Sequence, residues 1–153
     1  MLTLRETVKQ LGLELPTLSK PGGDYIPFVR RGTTATMAVQ FPILDGEFLY
    51  RGRLGAELQT ADGIAAMQLC ALNALAHIDA NLAPDNLAGL NHIDAMYLAA
   101  GDWDEAARVV DGASTLFQRV LGEKGRHSRT IFGPAHLPHE FCVGLTVTLT
   151  LNA

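Results

Sequence analysis

The segment Phe141–Leu151 alternates without a fault. Phe141, Val143, Leu145, Val147, Leu149 and Leu151 point one way, and Cys142, Gly144, Thr146, Thr148 and Thr150 point the other. Successive strand side chains project to opposite faces, so this is a strand with one face on a core. Its other face carries small and hydroxyl-bearing side chains. Such a strand needs partners to pair with and a layer to cover its apolar side. Tyr25–Arg31 and Thr33–Phe41, rich in β-branched and aromatic residues and separated by Gly32, read as two paired strands. Leu90–Ala99 and Ser128–Phe132 add two more.

Helices supply the covering layer. Thr3-Leu4-Arg5-Glu6 is a capping box, and Leu4, Val8 and Leu11 share one face of a short helix that Gly12 stops. Prolines and glycines then mark an irregular connector from Glu14 to Gly23. Thr60 reads as the cap of a long helix to about Leu82, with Asp62 complementing the dipole. Ile64, Met67, Leu69, Leu72, Leu75 and Ile78 make that helix apolar nearly all round, leaving a narrow polar strip of Gln68, Asn73, His77 and Asp79. That pattern calls for cover on more than one side and hints at a partner subunit. Asp102-Trp103-Asp104-Glu105 reads as the capped opening of a second long helix, whose stripe of Val109, Ala113, Leu116 and Val120 runs to Gly122. The order is α, β, β, α, β, α, β, β. It implies one α+β domain over residues 1–153, with residues 1–23 as N-terminal helix and connector. Two long helices would cover one face of a mixed sheet.

Size and charge narrow the functions. A chain of 153 residues builds one real core. Hydrophobic residues at 48% and charged residues at 18% give globular composition. A formal charge of −4 argues against a nucleic-acid surface, which needs a basic face. No apolar run approaches the roughly 20 residues needed to span a bilayer. Met1–Glu6 lacks the basic-then-apolar pattern of a secretory signal. Cys70 and Cys142 have apolar neighbours and read as buried free thiols of a reducing compartment. These features together point to the cytoplasm, with neither membrane nor nucleic acid as partner.

Chemistry concentrates in Lys124-Gly125-Arg126-His127-Ser128-Arg129, just past a helix end and running into a strand. Three cations and a histidine this close can hold a carboxylate or a phosphate, and arginine can do so through two parallel bonds. Lys124 and Arg126 also sit where a helix C-terminus favours positive charge on its own account. Arg129 lies within the strand, which makes it the candidate anchor. His136-Leu137-Pro138-His139 has two histidines three apart, but proline prevents the helix that presents such a pair, and no metal site is expected. There is no phosphate-cradling glycine loop and no Gly-x-Ser-x-Gly elbow, and no cofactor is expected.

Four segments together resemble the RidA (YjgF) family, in particular its chorismate-mutase-like branch with an endoribonuclease label. They are Asp24-Tyr25-Ile26-Pro27-Phe28-Val29-Arg30-Arg31-Gly32, Leu69-Cys70-Ala71-Leu72-Asn73-Ala74-Leu75, Val110-Asp111-Gly112-Ala113-Ser114 and Gly122-Glu123-Lys124-Gly125-Arg126-His127-Ser128-Arg129. The resemblance spans nearly the whole chain. It implies a chorismate-mutase-like two-layer fold, with three subunits packing their sheets into a barrel and ligand clefts between subunits. It also implies hydrolysis of enamine or imine intermediates to 2-keto acids and ammonia. An arginine that grips the substrate carboxylate is matched by Arg129, and a tyrosine lining the cleft by Tyr25. Asp111 and His127 would be further polar contacts.

The departures are specific. Ala38-Val39 stands where the archetype has Ser-Gly before Gln40, Asp111 replaces a cleft asparagine, and Thr146 falls where the family has a water-activating glutamate. Threonine cannot act as a carboxylate base, and loss of a general base removes about 10²–10⁴-fold of rate. The expectation is a homotrimer whose clefts bind a small carboxylate-bearing metabolite, with slow or altered imine hydrolysis as the enzymatic version. A non-catalytic ligand sensor or interaction protein of the same fold is the alternative. Ribonuclease activity fits the acidic balance least.

Overall fold

The computed structural model describes residues 1–153. Helix α1 spans Leu4–Gln10, and its predicted capping box is present: Glu6 N donates to Thr3 Oγ1 at 3.1 Å, and Thr3 N donates to the Glu6 carboxylate at 2.8 Å. Strands β1 (Phe28–Arg31) and β2 (Thr34–Gln40) follow, then a small hairpin of β3 (Ile43–Leu44) and β4 (Glu47–Phe48). Asp45 and Gly46, at φ +50° and +88°, turn that hairpin in the way an Asp-Gly pair allows. Helix α2 (Thr60–Asn81), strand β5 (Leu87–Tyr97), helix α3 (Ala106–Leu121), strand β6 (Ser128–Phe132) and strand β7 (Val143–Leu151) complete the chain.

The five longer strands form one mixed sheet in the order β1-β2-β7-β5-β6, in which only the β5–β6 pair is parallel. The alternation in β7 places Val143, Leu145, Val147, Leu149 and Leu151 in the core and leaves Thr146, Thr148 and Thr150 half-buried on the other side. Both long helices lie on the apolar side, with α1 against them. The opposite face of the sheet carries no helix. The chain is thus α+β in two layers, as its sequence predicts.

Three expectations change in detail. Helix α2 starts one residue earlier than the threonine cap implies: Gln59 is the cap, and Asp62 accepts its backbone N–H at 2.8 Å. Thr60 instead ties the two helices together, donating to the Glu105 carboxylate and accepting from Trp103 Nε1 at 2.9 Å. Glu105 therefore gives α3 no side-chain cap. Its hydrogen bonds from Thr60, then Arg108, hold its carboxyl below the usual range.

The cover over α2 also differs from the expectation. Every residue from Leu69 to Ile78 is buried within one chain, including Asn73 and His77 of the supposed polar strip. The connector and the β3–β4 hairpin lie over that flank. Leu15 of the connector packs into the core, Thr17 N donates to Asp45 at 2.9 Å, and Asn73 Nδ2 donates to the Ile43 carbonyl at 2.8 Å. The apolar girth of α2 is explained without a partner. The two helices cross closely because Gly112 has no Cβ; one placed there would lie 2.5 Å from the Ile64 carbonyl oxygen. Cys70 and Cys142 are unbonded core thiols, and burial pushes Cys142 up to about 12.

Candidate functional site

The basic segment acquires its shape from the end of α3. Gly122 closes the helix at φ +63°, and a short 3₁₀ turn, Gly122–Gly125, folds back under it. That turn delivers the chain into β6, whose register with β5 (Ile93 opposite Arg129) points Arg129 to the helix side of the sheet. Ala107, Asp111 and Ser114 recur at i, i+4 and i+7 on α3, so one face of that helix meets the guanidinium.

The contacts form a directed chain. The Gly125 carbonyl can only accept, so His127 donates to it from Nδ1 at 2.7 Å. His127 Nε2 lies 2.9 Å from Ser114 Oγ. Ser114 Oγ in turn accepts from Arg129 Nη1 at 3.1 Å. The same Nη1 donates to Asp111 Oδ1 at 2.7 Å, and Nη2 reaches the Ala107 carbonyl at 3.5 Å. His127 has both nitrogens engaged, so within this cluster it orients Ser114 and Arg129. The Phe117 ring meets it edge-on at 5.8 Å. Ser114 was not singled out from the sequence, although its i+3 spacing from Asp111 is the signal that finds it.

The ion pair bears on ligand binding. Arg129 keeps 26% of its side-chain exposure and Asp111 keeps 60%, so the pair is open to solvent and contributes little to stability. A carboxylate arriving at Arg129 nevertheless meets a negative charge already in place. Asp111→Asn should therefore raise the affinity for a small 2-keto acid such as pyruvate by about fivefold, through removal of like-charge repulsion at the surface. Isothermal titration of both forms at low salt measures this, and an unchanged or weaker affinity would contradict it.

The other expected residues lie elsewhere. Tyr25 leads into β1 at the opposite edge of the sheet from β6. It is half-exposed, accepts the Gly22 N–H at 3.2 Å, and lines a cavity of ≈ 400 Å³ that Arg129 does not touch. Thr146 stands on the open face of the sheet, the side away from Arg129, in register with Asp94 on β5. Asp94 belongs to a second polar cluster that sequence reading missed. His92 Nδ1 lies 2.7 Å from Ser128 Oγ, and its Nε2 lies 3.2 Å from both Asp94 and Thr130. The structure thus brings Arg129, Asp111 and His127 together and leaves Tyr25 and Thr146 apart from them.

Comparison with known proteins gives consistent matches. Residues 6–148 match the family described as "YjgF/chorismate_mutase-like, putative endoribonuclease". Protein TCP17 of Trypanosoma cruzi is 31% identical over 147 residues, covering 95% of this chain and 92% of that protein. Among solved structures, one described as a "putative endoribonuclease" from Shewanella oneidensis superposes with a TM-score of 0.92 at 30% identity, over 98% of this chain and all of that one. The protein Atu1372 of Agrobacterium tumefaciens, of unknown function, gives a TM-score of 0.88 at 28% identity, over 98% and 94%.

Proposed function

Because the chain belongs to the YjgF/chorismate mutase-like family, we propose that it binds a small carboxylate-bearing metabolite in clefts completed between three copies of itself. Arg129 is the anion anchor and Tyr25 the facing wall. The observation that supports this reading is the sheet order. Tyr25 leads into one edge strand and Arg129 sits on the other. Four inter-strand gaps at about 4.8 Å each separate the two edges by roughly 19 Å. Within one chain they cannot share a small ligand. A neighbouring copy removes the separation.

Two further features agree with it. Edge strands carry unpaired backbone groups, and the threonine-rich open face of this sheet has no layer of its own. Arg129 also keeps donors to spare. A guanidinium has five N–H groups, and its contacts with Asp111, Ser114 and Ala107 leave Nε and one Nη2 hydrogen to grip a carboxylate. The reading requires neither metal nor cofactor, places the protein in the cytoplasm, and assigns no role to nucleic acid or membrane.

Hydrolysis lacks a carboxylate base at the Thr146 position. Thr146 supplies no carboxylate, and the nearest one in register, Asp94, is on the sheet face away from Arg129. Within one chain an anchor and a base on opposite faces of the sheet do not reach the same atoms, so a base would have to come from a neighbouring copy. In an assay that couples an amino-acid dehydratase to semicarbazide trapping of the imine, the protein should give no imine loss above buffer. Acceleration that disappears in Asp94→Asn would overturn the non-catalytic reading and leave the binding reading standing. Light scattering should give a trimer, and a monomer would remove the shared cleft.

A further inference from the structure

The ≈ 400 Å³ cavity behind Tyr25 is a site in its own right, formed within one chain. Its size is in the range of small-molecule sites. One wall is aromatic: Phe141 stacks on Phe41 at 4.9 Å between centroids, and Phe48 tilts against both Phe141 at 5.1 Å and His139 at 4.9 Å. The opposite wall is α2, which contributes Asn73 and His77 at i and i+4, with 4% and 6% of their surface exposed. Asn73 Nδ2 is spent on the carbonyls of Phe41 and Ile43, and its Oδ1 accepts nothing in the protein. His77 is not spent. Its imidazole makes no side-chain hydrogen bond in the protein, although no side-chain nitrogen or oxygen is sealed away unpaired. Its nitrogens therefore touch open space, and the cavity it lines supplies that space.

The surroundings hold this opening in a costly shape. Tyr50, His139 and Glu140 all take the left-handed backbone region, at φ +54°, +54° and +59°. Arg51 Nε donates to the His139 carbonyl at 2.8 Å and Gly52 N to the Glu140 carbonyl at 2.8 Å, which fixes the turn. Strain of this kind persists only where surrounding structure enforces it, and it gathers at ligand sites. Burial lowers the pKa of His77, so the ring is neutral at pH 7 and offers one N–H donor and one lone pair. The other titratable groups on the cavity are Lys20, Tyr25 and His139.

We propose that this cavity binds a flat aromatic ligand bearing a hydroxyl, with the ring against Phe48, which Phe141 backs from the core, and the hydroxyl on the His77 imidazole. A hydroxyl can both donate and accept, so it suits either nitrogen of a neutral ring. The site shares Tyr25 with the proposed cleft but does not rest on Arg129.

Phenol and toluene, nearly equal in size, test it. In the full chain at pH 7, saturable phenol binding should shift the His77 ring nitrogen resonances. Toluene should bind about tenfold more weakly, which corresponds to one lost hydrogen bond. His77→Phe should lower phenol to the level of toluene. A pyruvate titration of the same wild-type chain reads the carboxylate anchor by itself, so its failure is distinguished from failure of this site. Unmoved His77 signals at saturating phenol, or equal affinities for phenol and toluene in the wild-type chain, would overturn the proposal, with water then satisfying the ring.

Discussion

Gly125→Ala is expected to lose about 3 kcal/mol of stability, the upper end of what overpacking costs. A Cβ at residue 125 would run into the Phe117 carbonyl oxygen and lie 2.6 Å from its carbon. Both are backbone atoms in the last turns of α3, and the Phe117 side chain is fully buried. Neither can move aside as the tip of a flexible side chain would. The turn itself must shift, and it carries the Gly125 carbonyl that fixes His127. The same substitution should therefore weaken carboxylate binding at Arg129 as well as stability. Gly22→Ala is the control, because a Cβ there meets nothing within 4 Å, and it should change stability by less than about 0.5 kcal/mol. Urea unfolding of the three proteins at matched slopes decides between them. A Gly125→Ala protein as stable as the control would contradict the close approach.

Arg129→Ala is expected to abolish measurable binding of small 2-keto acids. A charge-assisted pair of hydrogen bonds contributes about 2–3 kcal/mol, or roughly 30- to 150-fold in affinity. Stability should hardly change, since the partner left behind, Asp111, is well exposed and can rehydrate. That combination separates an anchor from a structural residue. Arg129→Lys should recover only part of the affinity, because an ammonium keeps the charge and loses the planar fork. Calorimetry with pyruvate, beside the same urea series, reads both quantities.

The fold was largely legible because its signals are local and periodic. The unbroken alternation of Phe141–Leu151 yields a buried-face strand over Val143–Leu151, and Ser128–Phe132 is the observed β6 to the residue. The capping box at Thr3 and the helix end at Gly122 hold for the same reason: the partners are within a few residues. Thr60 shows where this stops. Its expected local role gives way to Trp103 and Glu105, which only helix packing brings near. The two-residue strands around Asp45-Gly46 are too short for periodicity to register.

The candidate site was legible in its residue types and not in its geometry. Arg129 stands in a strand as expected, but its bond to Asp111 depends on α3 lying beside β6, which no local pattern encodes. In the sequence His77 reads only as part of a narrow polar strip. It is buried because the connector and hairpin fold across it, and that crossing is a property of the whole chain. The pairing of Asp94 with Thr146 likewise requires the register of β5 on β7.

The central claim is that one ligand is gripped by Arg129 of one copy against Tyr25 of another. Arg129→Ala and Tyr25→Asp chains should each fail to bind pyruvate. When they are unfolded together and refolded as an equal mixture, about a quarter of the clefts should pair an intact arginine with an intact tyrosine. Calorimetry on that mixture should recover wild-type affinity at about a quarter of the wild-type stoichiometry. A mixture that binds no better than either parent would contradict the shared cleft.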